Sequence, residues 1–144
     1  MKRFWVVLAA WLLVAAGVLA QERAYSEGPV VEVTSVRIKD GQFDNYMHYL
    51  QGRYKPLLEA QKKAGIVLDY GVYSVSPRTP SDPNLYLVVV YPNMAMLDGL
   101  EDKMEPLERQ VTGQTRAQSA KAYADRGSMR EILGSELLRE LRLK

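Results

Sequence analysis

The 144-residue chain offers few side chains with chemistry of their own. It has one histidine, His48, and no cysteine, which excludes disulfide scaffolds, thiolate metal clusters, cysteine nucleophiles and an N-terminal lipid-bearing cysteine together. His48 is the weak candidate for a general base. It follows Asp44 by one helical turn on the polar side of an amphipathic repeat, where the plainer reading is a solvated i, i+4 pair. A Ser-His-Asp triad would need this same imidazole, and no Gly-x-Ser-x-Gly elbow is present. Neither a glycine-rich phosphate loop nor a three-ligand histidine site for a metal occurs, so no metal and no cofactor is expected.

Tyrosine and arginine remain. The chain has nine tyrosines and only two phenylalanines, and a phenol combines an apolar body with a polar tip, which suits a pocket for a flat ligand of mixed polarity. Tyr70, Tyr73, Tyr86 and Tyr91 lie on apolar runs, and Tyr46 and Tyr54 lie on the first helical segment. Tyr54 and Tyr70 are the candidate ligand-binding tyrosines, with Arg53 beside Tyr54, and Arg37 in the first strand, as guanidiniums able to hold a carboxylate. The plainer reading of the tyrosines is core and interface packing with satisfied hydroxyls, and that of the arginines is a place at the rim.

These residues must be positioned by a short series of elements. Val30–Lys39 is rich in β-branched residues and reads as a strand that turns at Asp40-Gly41. From Gln42 to Ala64 the apolar positions Phe43, Met47, Leu50, Tyr54 and Leu57 recur at helical steps, and Gly65 closes the segment. Pro56 cannot donate to the carbonyl of Gly52, which predicts a kink between them. Ile66–Val75 reads as a second strand, Ser76–Asn84 as a proline-containing loop, and Leu85–Tyr91 as the strongest strand. Asn93 suits an N-cap for a helix starting at Met94 that Pro106 is expected to break, and Thr115–Asp125 is a further helix. The end has two readings: a helix carrying Met129, Ile132, Leu133 and Leu137, or a strand in which Leu137, Arg139, Leu141 and Leu143 alternate. Gly134 and Ser135 would weaken the helix, which favours the strand and a βαββαβ order.

The first twenty residues stand apart. Met1-Lys2-Arg3 gives a positive start, Phe4–Ala16 is an apolar run, and small or compact residues precede Gln21, the pattern of a secretory signal cut after Ala20. An uncleaved anchor is the alternative, since Phe4–Ala20 approaches the length that spans a bilayer. The expected organisation is a signal peptide over 1–20, a flexible leader over 21–29 and one domain over 30–144, in a periplasmic or secreted protein without stable membrane insertion once cleaved. The whole chain carries 19 Lys+Arg against 17 Asp+Glu; removing Lys2 and Arg3 leaves 17 against 17, so the mature charge balances. No basic stripe interleaved with aromatics points to nucleic acid.

Four features together resemble the dimeric α/β-barrel superfamily, which includes the antibiotic-biosynthesis monooxygenase, EthD and NIPSNAP families. They are a strand leading into Lys39-Asp40-Gly41-Gln42-Phe43, a helix with Tyr54 and Lys55-Pro56-Leu57-Leu58, its end at Lys63-Ala64-Gly65, and Tyr91-Pro92-Asn93 ahead of the second helix. The likeness covers about Val30–Leu100 and is one of architecture. It implies an α+β, ferredoxin-like domain with an antiparallel sheet, pairing as a homodimer, with a pocket between sheet and helices in each subunit. The pairing has support of its own. Leu85, Leu87, Val89 and Tyr91 form one side of their strand and Tyr86, Val88 and Val90 the other, so both sides look buried, where a monomer would show a polar outer face. Three functions compete: a homodimer that binds a small organic ligand, an enzyme resembling the superfamily's cofactor-independent oxygenases on a phenolic or quinol substrate, and an assembly protein without a pocket. Haem-degrading relatives are associated with a pocket tryptophan, whereas Trp5 and Trp11 both lie in the signal.

Overall fold

The computed structural model describes residues 22–144, so the expected signal segment lies outside the described residues. The strands are β1 (Tyr25–Ile38), β2 (Asp69–Ser74), β3 (Leu85–Tyr91) and β4 (Arg130–Leu143), and the α-helices are α1 (Phe43–Tyr49), α2 (Lys55–Lys63), α3 (Leu100–Thr112) and α4 (Arg116–Asp125). The strands form one sheet in the order β2-β3-β1-β4, antiparallel throughout. Each helical crossover therefore skips one strand, the split arrangement of a ferredoxin-like α+β domain.

Alternation along the two central strands builds the core. Val30, Val36 and Ile38 of β1 and Leu85 and Tyr91 of β3 are buried on the helix side, with Val36 opposite Leu85 and Val30 opposite Tyr91. Two apolar clusters result. One joins Val36, Ile38 and Leu85 to Tyr46 and Leu50, and the other joins Val30 and Tyr91 to Ile66 and Val67. Between them along β1 the same face carries Glu32 and Thr34, and this interruption of the apolar run opens the site described below.

Several local readings change. β1 starts at Tyr25, not at Val30, so most of the expected leader is strand: Tyr25, Ser26 and Glu27 face Leu143, Arg142 and Leu141, and Arg139 holds Glu27 at 2.8 Å. The helical reading of the end fails because β4 needs its full length to pair with β1, with an irregularity where Leu133 has no opposite residue. The expected kink is instead a single π-helical turn, Leu50–Tyr54, between α1 and α2. Widening the turn ahead of Pro56 accommodates its missing N–H, and Pro56 falls in the first turn of α2, where none is needed. The buried stripe also rotates: Tyr46, Leu50 and Leu58 are its centre, and Phe43 is half exposed. Pro106 does not break its helix; it lies on the solvent side of α3, where the carbonyl of exposed Asp102 that loses its helical bond is open to solvent. Asn93 does cap, its Oδ1 accepting from the Met96 N–H at 3.1 Å, but the capped segment is one 3-10 turn that ends before Gly99 (φ 62°). α4 starts as expected, with a reciprocal capping box between Thr115 and Gln118.

Candidate functional site

A cavity of about 460 Å³ lies between the helix-side face of the sheet and the helices. The sheet supplies Glu32 and Thr34 from β1, Leu87, Val89 and Tyr91 from β3, and Ile132 from β4. The segment from α1 to α2 supplies Tyr46, Tyr49, Tyr54 and Gln61, while Tyr123, Arg126 and Arg130 close the side where α4 runs into β4. The π-helical turn is what places Tyr54 on this wall one turn beyond Leu50.

The polar groups separate into two ends. At one, Glu32 accepts hydrogen bonds from the Tyr91 hydroxyl at 3.2 Å and the Ser135 hydroxyl at 3.0 Å. Burial is the main cause that pushes the phenols of Tyr54 and Tyr91 far above the ordinary value, and the Glu32 carboxylate adds to it in both. At the other end Arg126 lies over the rings of Tyr49 (4.6 Å) and Tyr123 (5.4 Å), and Arg130 lies over Tyr123 (4.7 Å). Burial raises the phenols of Tyr46 and Tyr49 as well, but here the two arginines pull the other way. Arg130 faces Ile38 across the strands, and Ile38 is roughly 20 Å along β1 from Glu32 at ~3.3 Å per residue, so the basic and acidic anchors sit far apart in the sheet.

Two buried side chains at this cavity each have a nitrogen without a partner among the described residues, although Arg130 also meets the Tyr46 hydroxyl. Gln61 is 1% exposed, and its Nε2 has no hydrogen-bond acceptor among the described residues. Arg130 is 6% exposed, its Nε has no acceptor, and among the described residues neither it nor Arg126 forms an ion pair. An uncompensated buried charge opposes folding by several kcal/mol unless something completes it.

The residues singled out from the sequence are scattered by the fold. Tyr54 lines the cavity. Tyr70 does not: with the exposed His48 it lines a shallower groove of about 400 Å³ between α1 and β2, which Tyr54 also reaches. The Tyr70 hydroxyl donates to Glu59 at 2.5 Å, and that bond is the main cause pushing its phenol up to about 12. Arg53 is exposed and donates to the Thr112 carbonyl at the end of α3, 3.4 Å away. Arg37 is held by Glu131 at 2.5 Å and the Pro80 carbonyl at 3.3 Å, beside the 76–84 loop. Sequence reading passed over Glu32, Gln61, Arg126 and Arg130. The one available signal was Glu32 itself, a charge on the side of the first strand that also carries Val30, Val36 and Ile38.

No protein-family model and no curated protein matches the chain. Solved structures do. HapK from Hahella chejuensis is 12% identical over 77% of this chain and 91% of that one, with a TM-score of 0.51. A dimeric ferredoxin-like protein from an uncultured marine organism is 9% identical over 83% of this chain and 98% of that one, also with a TM-score of 0.51. A NIPSNAP family protein of unknown function from Agrobacterium tumefaciens is 13% identical over 81% and 90%, with a TM-score of 0.45. At such low identity the first two likenesses concern the fold alone, and the fold of this chain is ferredoxin-like.

Proposed function

We propose that the chain is an exported homodimer whose subunits each bind a small organic molecule in the cavity between sheet and helices. The observation that carries this reading is the cavity itself: about 460 Å³, walled by tyrosines, with polar groups at two ends and a buried glutamine amide left without a partner. Export rests on the signal pattern of Met1–Ala20. Pairing rests on the apolar open side of the sheet, where among the described residues no helix lies over Val31, Val33, Val88 and Val90, and accords with the dimeric description of one fold neighbour.

Chemistry on a phenolic or quinol substrate has less to draw on, because the chain's one imidazole, His48, stands outside the cavity. The deciding experiment is native mass spectrometry of protein recovered from the envelope, together with oxygen uptake on phenolic and quinol substrates. The proposal expects an N-terminus at Gln21, a dimer mass with a co-purified small molecule, and no oxygen uptake. A dimer that consumes oxygen with such substrates would replace binding by oxygenase chemistry, and a monomer retaining Met1 in the membrane would overturn both export and pairing.

A further inference from the structure

The class of ligand follows from which groups in the cavity are left incomplete. Arg130 is almost fully buried and Arg126 half-buried, yet among the described residues neither has a carboxylate partner. Their faces are already taken: the rings of Tyr49 and Tyr123 lie 4.6–5.4 Å from the guanidinium carbons. A guanidinium stacked by its face keeps its N–H donors along its edge, and that planar fork matches the two oxygens of a carboxylate. The unpartnered Nε of Arg130 is one of these edge donors.

The opposite end asks for something else. Glu32 has two oxygens and accepts one hydroxyl at each, which leaves lone pairs to spare, while the Gln61 amide has donors and no acceptor. A hydroxyl group meets both needs, since it donates to a carboxylate and accepts from an amide. Between the ends the walls are tyrosine rings, Leu87, Val89 and Ile132. Resting on the reading of this cavity as a ligand site, we propose that its ligand is a flat aromatic acid, with its carboxylate on the edges of Arg126 and Arg130 and a hydroxyl at the far end toward Glu32 and Gln61.

The test compares 6-hydroxy-2-naphthoate with 6-hydroxy-2-naphthamide, which share shape and hydroxyl and differ in charge, by calorimetry on the purified protein. The acid is expected to bind at least tenfold more tightly than the amide. Arg126→Gln and Arg130→Gln should each remove most of that preference. The comparison of the two probes on the unaltered protein stands even if Arg130→Gln fails to fold. Equal affinity for acid and amide overturns the assignment of an acidic ligand and leaves the cavity as a binding site. Failure of both probes to bind overturns the assignment and the binding reading together.

Discussion

The helix-covered face of the sheet carries Glu32, Thr34 and Arg130, whereas its open face carries Val31, Val33, Tyr86, Val88 and Val90. A domain that was complete by itself would place these the other way round, with charge toward water and aliphatic side chains toward the helices. The apolar patch extends to Tyr73 in β2 and Leu138 in β4, each about half exposed, and is bordered by Glu136 opposite Val33 and by the Arg37–Glu131 pair. Uncompensated charge in a covered cavity calls for something that enters, and apolar surface without cover calls for something that lies over it. The two faces thus support the two proposed roles, a ligand inside and a partner outside.

The largest expected break of this contrast is on the covered face. Leu85 is 1% exposed and packs with Val36, Tyr46 and Leu50, so Leu85→Ala should lower the unfolding free energy by about 2–5 kcal/mol in chemical denaturation. The same truncation at Val90 on the open face should leave the stability of the separated subunit nearly unchanged. Next, Arg130→Met removes a buried charge that has no acid beside it among the described residues, and the ligand-free protein should gain about 1 kcal/mol or more. A loss of stability there would mean that stacking on Tyr123 outweighs desolvation.

The phenols supply a pH test. Tyr46, Tyr49, Tyr54, Tyr70 and Tyr91 all hold their protons more tightly than free tyrosine, for which the value is 10.0. Because the folded value lies above the unfolded one, the stability these groups contribute is complete below about pH 10 and is lost as pH rises through their folded values. Tyr70 loses its share between about 10 and about 12, and the cavity tyrosines Tyr54 and Tyr91 lose theirs at higher pH still. Phenolate absorbance should therefore rise in stages, and Tyr70→Phe should remove the stage near 12. The smallest effect belongs to His48→Ala. The side chain is exposed and outside the cavity, so stability should move by no more than about 0.5 kcal/mol and binding of either naphthyl probe should not change.

What was legible in the sequence was local. Leu85–Tyr91 could be read residue for residue because Asn84 and Pro92 bound an unbroken apolar run, and α4 because an alanine-rich segment runs from Thr115 to Asp125 ahead of Gly127. The ferredoxin-like order followed once the end was taken as a strand. What escaped depends on neighbours distant in the chain. Tyr25–Glu27 looks like a polar leader until β4 pairs with it. Arg130 looks like one more surface cation until β4 aligns it with Ile38 and Tyr123 folds over it. Of the four candidate ligand-binding residues only Tyr54 lines the cavity, while Gln61 reads as polar surface although the fold buries it.

The contrast between the faces is tested most directly by light scattering and thermal melting of the unaltered protein beside Val88→Lys. Val88 lies on the open face, opposite Val33 in β1 and Gly71 in β2, and no helix of the described residues covers it. The account predicts a dimer for the unaltered protein, and for Val88→Lys a folded monomer that melts cooperatively and still binds 6-hydroxy-2-naphthoate. A monomeric unaltered protein, or a Val88→Lys variant that stays dimeric with an unchanged melt, would contradict it, because the open face would then be facing water.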